Sequence, residues 1–462
     1  MNRKEKTMEN KKVVIVGGGC AGLSAAYNLN KTGWDVTVLE SQSTVGGRMQ
    51  VFKENGYLID EYAQFVHPSY KRAKELMTEL NLIQDLHPFE LGAGMSVWFN
   101  NKWVAAFPNP DDAEAVAANK EWMEYMGEEN FGKFAAFCEK YCAGKFYEGS
   151  TDWMMDADQD DGSNFGEFVK NNFGERVLEY FVQPVVASLG LEYPEKCGVA
   201  FGLQIVWTVL VGGAAVLNGG LGRLGQTIAD ILGDRIKLGA VVSEIVIEDG
   251  KVKGVKCENG DYYECDKVIC TVPAPVAIRI MPNMPDEIKK PLEKVTICRT
   301  IHSTIFLDKR MTDGVKPVGG LLPRYLDEPF CTCLFQSSRN PAALPNEDSD
   351  AMSVFYFGED KLQKYWDMTE EEVLEHTFTT LKKYFPELPD HYVGGHVVKA
   401  PLANFTMQNG CPSAIKEFRD NNYKIVEGLY MAGDYMYTGS YESALNTGFM
   451  VSDCLNGKIE HI

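Results

Sequence analysis

Positive charge is scarce in this 462-residue chain: 45 Lys and Arg stand against 65 Asp and Glu, a formal net charge of −20. Neutralising a phosphate backbone takes clustered Lys and Arg, so general nucleic-acid binding is excluded. The 12 Cys form no CxxC pair and no evenly spaced framework, which excludes a disulfide scaffold. Met1 to Lys12 is charged where a signal peptide needs an apolar core, so the expected compartment is the reducing cytoplasm. Internal repeats and low-complexity tracts are absent, and 45% hydrophobic against 24% charged residues excludes wholesale disorder. Long apolar runs are also missing, with one exception. Gly198 to Leu217 carries no charge over the length a bilayer span requires. Gly198, Gly202, Gly212, Gly213 and Gln204 interrupt it and Gly219-Gly220 follow, which suits a core helix entering a buried strand. A peripheral, amphipathic membrane contact elsewhere in the chain stays open.

What is present is a chain long enough for two to three domains. Val13 to Val16 is a short β-branched run that reads as a parallel strand buried on both faces. It ends in Gly17-Gly18-Gly19-Cys20-Ala21-Gly22; a helix follows from Leu23 to Lys31, Gly33 ends it, and Asp35 to Glu40 is a second strand. The segment is a βαβ unit. Asp111 to about Val211 turns helical, with Ser163 or Asn164 capping a helix from Phe165 to Val186. Its aromatic stripe (Trp122, Tyr125, Phe131, Phe134, Phe137, Tyr141) reads as packing. Asp249-Gly250 and Asn259-Gly260 separate alternating apolar runs, the pattern of hairpins. Strands near Ile297 to Leu307, Thr332 to Gln336 and Met352 to Phe357 predict a second, mainly antiparallel sheet. Thr369 with Glu372 predicts a capping box opening a helix to Phe385, and Gly428 to Asn456 reads as strand, Gly-Asp turn and helix.

Gly17-x-Gly19-x-x-Gly22 between strand and helix lets a pyrophosphate approach backbone amides at a helix N-terminus. Glu40, ending the second strand, is placed to accept from a ribose diol and to repel a 2′-phosphate, which disfavours NADP. Gly46-Gly47-Arg48 follows, and near the far end stand Gly433-Asp434 and Ser440 to Ala444, opening a helix through Gly448. An aspartate after a strand can hold ribityl or phosphate oxygens, and the next helix N-terminus offers positive charge to a flavin ring. Phosphate-facing elements at both ends of the chain imply a long dinucleotide, FAD rather than NAD.

With these motifs on the page, the sequence resembles the flavin-containing amine oxidase superfamily, closest in pattern to its protoporphyrinogen oxidase and carotenoid (phytoene) desaturase branch. The likeness also rests on Asn218-Gly219-Gly220, on Val242 in its strand, and on Thr271-Val272-Pro273. It implies an α/β fold: an FAD-binding Rossmann-like domain of the glutathione-reductase type (11–70, 216–275 and 421–462), a substrate domain with an antiparallel sheet (71–110 and 276–420), and a helical lobe (111–215). It further implies non-covalent FAD held by Gly17, Gly19, Gly22, Glu40, Gly47, Arg48, Val242, Gly433, Asp434 and Glu442. The activity implied is FAD-dependent oxidoreduction of a small apolar or planar organic molecule at a CH–CH or CH–NH bond, with an unknown electron acceptor. No metal is expected. Asn164 to Phe168, Phe173-Gly174 and Gln183-Pro184 look like the protoporphyrinogen oxidase and desaturase pattern.

His302 takes the place where amine oxidases of this superfamily carry a Lys near flavin N5, and Ser440 replaces an aromatic-cage Tyr. Tyr62 stands where the family usually has Gly after Asp60, and Ser443 replaces another family Gly. His302 can exchange a proton near neutral pH or be a hydrogen-bonded core residue. Tyr62, Trp207, Tyr437, Ser440 and Tyr441 are candidate cavity walls, with core packing the competing reading for the aromatics. A true amine oxidase, a double-bond isomerase or reductase, and a non-catalytic FAD-binding protein remain as alternatives. Asp156, Asp158, Asp160 and Glu167 imitate a calcium loop, but Asp161 sits where Gly is required, so a solvated acidic loop is expected. Cys331 and Cys333 read as two packed thiols on one strand face.

Overall fold

The computed structural model describes residues 12–89, 94–145, 147, 152–158, 162–311 and 318–460. The charged leader up to residue 11, together with Asp160 and Asp161, lies outside the described residues.

The N-terminal βαβ unit forms as its sequence predicts. Strand β1 (Lys12–Val16) leads into helix α1 (Cys20–Lys31) and strand β2 (Asp35–Leu39). Val13, Val14 and Ile15 are all fully buried, each side chain stabilising the core by roughly 1.5–3 kcal/mol. A helix α2 (Lys71–Glu79) packs nearby. Two strands from far along the chain, β3 (Val268–Cys270) and β4 (Leu429–Met431), complete a five-stranded sheet with Ile236–Lys237, in the order β4, β3, β1, β2, Ile236–Lys237. Every pair in it is parallel. Helix α3 (Tyr441–Leu455) then crosses α1. Ser24 Oγ donates to the Leu445 carbonyl at 2.7 Å, and a Cβ at Gly448 would sit 2.2 Å from the Ala21 carbonyl oxygen, so only glycine permits this approach.

The second large sheet has seven strands, in the order Gly394–Met407, Val295–Leu307, Asp350–Tyr356, Phe330–Phe335, Gly319–Leu321, Met95–Phe99 and Lys102–Ala105. All its pairs are antiparallel except Gly319–Leu321 with Met95–Phe99. The hairpin turns at Asp249-Gly250 and Asn259-Gly260 join a separate three-stranded sheet. The Thr369 capping box forms with both hydrogen bonds in place. The uncharged run becomes the buried helix Val199–Val211 followed by the strand Ala215–Leu217. Among the described residues, no helix is long and apolar enough to cross a membrane.

Two expectations are corrected here. The helix predicted from Phe165 to Val186 stops at Phe173, because Gly174 (φ +95°) takes the C-terminal position that glycine fills without a Cβ penalty. The chain restarts at Glu175, passes through a π turn at Leu178–Val182 and continues as Gln183–Gly190. The second correction concerns the cysteines. A bulge between Phe330 and Cys333 breaks the alternation, so the two thiols enter different clusters: Cys331 packs with Ala187 and Phe357, Cys333 with Ile301 and Trp98. Both are buried and unbridged.

Candidate cofactor site

The glycine turn after β1 is shaped by contacts no side chain would tolerate. Gly17 has φ +107°, and its Cβ would meet Thr271 Oγ1 at 2.7 Å; a Cβ on Gly22 would lie 1.9 Å from the Gly17 carbonyl oxygen. Thr271 Oγ1 is hydrogen-bonded to the carbonyls of Val16 and Gly17 and so fixes the turn from β3. Gly19 differs. Its Cβ would meet nothing nearer than Gly47 Cα at 3.9 Å, so internal packing does not explain a glycine there, whereas close approach by a ligand does.

Glu40 is buried at the end of β2. Its Oε2 accepts from the Gly18 amide at 2.6 Å and its Oε1 from the Gln42 amide at 2.8 Å. The Ala240 amide donates to the Glu40 carbonyl, which brings the strand that begins at Val242 alongside. Gly46 N donates to the Gly18 carbonyl, laying Gly46-Gly47-Arg48 over the turn. Arg48 Nη2 pairs with Asp434 Oδ2 at 2.7 Å. Asp434 follows β4, which lies two strands from β1, about 10 Å at ordinary strand spacing. Opposite ends of the sequence therefore line one cleft at the carboxyl ends of β1, β3 and β4. This is where a doubly wound sheet places its ligand. A pyrophosphate fits the donor set: open glycine amides, a helix N-terminus and one arginine.

Other predicted residues are given different work. Glu442 was expected at the cofactor, but its carboxylate accepts the backbone amides of Lys71, Arg72 and Ala73 at 2.7–2.8 Å, and the Tyr147 hydroxyl at 2.9 Å. It caps α2, and the three amides at that helix start together with the Tyr147 hydroxyl occupy its acceptor positions. Ser440 is the N-cap of α3, accepting from the Ser443 amide, instead of a cavity wall. Tyr441 packs edge-on against Tyr70 with centroids 4.9 Å apart, inside the cluster built from α1 and α2. Tyr437 is buried under the Arg419 guanidinium, which lies 4.0 Å from its ring centroid. Trp207 packs on the core of the helical segment. These three aromatics belong to separate packing environments.

Tyr62 and His302 are brought together. Tyr62 packs against the cluster of Leu191, Cys298, Phe355, Ala400 and Ala403, and Phe355 stacks on His302 with centroids 4.2 Å apart. His302 Nδ1 lies 2.8 Å from the Glu61 carbonyl, which requires the ring to donate there, and Thr304 Oγ1 lies 3.2 Å from Nε2. Burial pulls its pKa down to about 3. Sequence reasoning missed the neighbouring pair: His396 Nε2 meets Glu61 Oε1 at 2.8 Å while stacked on Phe52. Nothing in the local sequence separates His396 from any other strand residue.

These protonation states make stability depend on pH. Burial lowers His302 to about 3 and His67 to about 4, so between those values and 6.5 the unfolded chain holds protons the native state refuses. Their contribution is complete above about pH 6.5 and is lost as pH falls. Asp60, raised by burial to about 6, takes up a proton early in the native state and offsets part of this loss. From pH 7.5 to pH 5 these three groups together remove about 3 kcal/mol. Asp350, Glu442 and Glu192, also raised by burial, act with Asp60, so the signature is a difference: His302→Gln combined with His67→Gln is expected to lose less urea stability than wild type between pH 7.5 and pH 5. An equal or larger loss in the double variant contradicts the assignment.

The family model described as "Flavin containing amine oxidoreductase" matches residues 20–456. Amine oxidase [flavin-containing] A of Sus scrofa is 29% identical over 332 residues, 64% of this chain and 58% of that relative. The chain thus matches a little under three fifths of the length of that curated relative. A solved structure titled putative protoporphyrinogen oxidase, from Exiguobacterium sp. 255-15, superposes with a TM-score of 0.75 at 17% identity, covering 98% of this chain and 100% of that one. Cyclohexylamine oxidase from Brevibacterium oxydans IH-35A gives 0.74 at 17% identity, with the same coverage of both chains. At such identities the likeness is one of fold.

Proposed function

Because this chain belongs to the family of flavin-containing amine oxidoreductases, we propose that it is an FAD-dependent oxidoreductase acting at a CH–CH or CH–NH bond of a small apolar or planar organic molecule, with its FAD held non-covalently. The observation that carries the reading is the meeting of the Gly17–Gly22 turn, Gly47-Arg48 and Gly433-Asp434 in one cleft, with Arg48 bonded to Asp434. Gly19 and the N-terminus of α1 face the pyrophosphate, Gly17 and Gly22 close the turn that presents them, Glu40 and the strand from Val242 hold the adenosine end, and Arg48 with Asp434 holds the middle. No Cys lies between Ala400 and Gly410 to attach a flavin covalently. When bound, the isoalloxazine supplies the two-electron redox partner.

The chain's own residues bind and orient. His302, neutral and bonded at both ring nitrogens, fixes the Glu61 carbonyl and positions the turn from Asp60 to Gln64, which makes it a positioning residue and not a base. Tyr62 and Phe355 supply flat apolar surface beside it and exclude water. A cytoplasmic location and an electron acceptor outside the chain complete the proposal.

Anaerobic mixing with porphyrinogens, polyenes, fatty acids and amines is the test. At least one class is expected to bleach the flavin band near 450 nm, with His302→Gln reducing at a rate within about threefold of wild type. A base contributes on the order of 10²–10⁴, so a hundredfold fall in His302→Gln contradicts the positioning role. An unbleached flavin with every class contradicts the enzymatic reading.

A further inference from the structure

We propose that a pocket between the segment around His87 and the turn Gln336–Ala342 binds a small organic carboxylate. The cavity measures about 360 Å³ and is lined by Arg310, Arg339, Ser338, Asn340, Asn218 and His87, a volume within the range of small-molecule sites. None of these residues belongs to the cofactor cleft, so the inference stands apart from the flavin reading.

Arg339 carries the argument. It is 6% exposed, yet both of its hydrogen bonds go to neutral acceptors on one residue, Gln64 Oε1 at 3.0 Å and the Gln64 carbonyl at 2.6 Å. Among the described residues no carboxylate lies within ion-pair distance of it, and Asp60 acts on it only from further away. A buried guanidinium with no carboxylate in contact is costly unless something else supplies one. Arg310 faces the same cavity, half-buried, with two long contacts of 3.4 Å to the carbonyls of Glu347 and Ser337. Ser338 Oγ is buried with no hydrogen-bond partner. Two arginines, a serine with an orphaned hydroxyl and Asn340 thus line one space while the chain as a whole bears −20.

The donor chemistry selects a carboxylate. An arginine fork matches two coplanar oxygens. Among the described residues the helices at the cavity are only the short turns Gln336–Arg339 and Pro341–Ala343, not the long helix start that phosphate sites usually add. The carboxylate can belong to a molecule that also reaches the flavin or to a separate small acid. Either source uses the same donors.

The test is calorimetric titration of the FAD-loaded protein at low salt, with succinate and inorganic phosphate as probes and the flavin spectrum followed in parallel. The expected result is saturable one-to-one succinate binding, tighter than phosphate. It should weaken about tenfold or more in Arg310→Ala and in Arg339→Lys, since each removes charge-assisted hydrogen bonds. Arg339→Lys keeps the charge but loses the fork and disturbs the two bonds to Gln64; Arg310→Ala disturbs only two long contacts and so is the variant that leaves the fold intact. A shifted flavin band assigns the carboxylate to a ligand that reaches the flavin, and an unshifted band to a separate ligand. Absent saturable heat, an isotherm unchanged in Arg310→Ala, or phosphate binding tighter than succinate overturns the proposal.

Discussion

Replacing Gly22 with alanine is expected to abolish flavin retention and to destabilise the protein by about 3 kcal/mol, the upper range for overpacking a closed contact. The new methyl would lie 1.9 Å from the Gly17 carbonyl oxygen and 3.0 Å from Thr271 Oγ1, and the first of these neighbours is backbone that cannot swing aside. Relief requires α1 to move off β1, which opens the turn that presents its amides. Gly19→Ala is the matched control. Its Cβ meets only Gly47 Cα at 3.9 Å, so the urea midpoint should hold while FAD affinity drops at least about tenfold, from intrusion into the ligand's space. Denaturation midpoints and FAD fluorescence titrations on both variants separate the effects. Normal affinity in Gly19→Ala would mean that the turn faces no ligand.

Asp434→Ala carries the second large effect. Asp434 is 5% exposed and pairs with Arg48 at 2.7 Å. Removing the acid strands a guanidinium left with a long 3.4 Å contact to the Ala403 carbonyl. Breaking a fully buried pair costs about 3–5 kcal/mol, and because the Arg48 side chain keeps a third of its exposure, about 2 kcal/mol is expected here. Loss of the carboxylate also frees Arg48 to swing out of the cleft, so FAD affinity is expected to fall about a hundredfold, with Asp434→Asn intermediate because it still accepts a hydrogen bond. Equal FAD affinity in Asp434→Ala and wild type would separate the C-terminal turn from the cofactor.

Much of the architecture was legible wherever local chemistry and tertiary demand agree. The glycine turn, the β-branched run of β1, the two hairpin dipeptides and the Thr369 capping box each have one favourable local solution, and the fold adopts it. The 14-residue edge strand Gly394–Met407 was not read as a strand, for two reasons. Its burial does not alternate, and Pro401 sits inside it, at the irregularity where pairing with Val295–Leu307 skips between Cys298 and Thr300. Met95–Phe99 and Lys102–Ala105 form a local hairpin, but it joins the large sheet only through Gly319–Leu321, more than 200 residues away, which no local window contains. In the site, backbone-level motifs were readable and side-chain assignments less so. Glu442 sits where a cofactor contact was expected, yet α2 arrives from another part of the chain with three unpaired amides and takes it. Arg339 left no signal at all, because a charged residue in a short polar turn looks solvated until the fold buries it.

In the proposed reading, residues from the two ends of this chain enclose one FAD. The most direct measurement is the flavin content of the protein after incubation with excess FAD and gel filtration, read from the band near 450 nm and from flavin released by acid precipitation. One FAD per chain, fully released into the supernatant, is expected. A colourless protein, or flavin that stays with the precipitate, contradicts it.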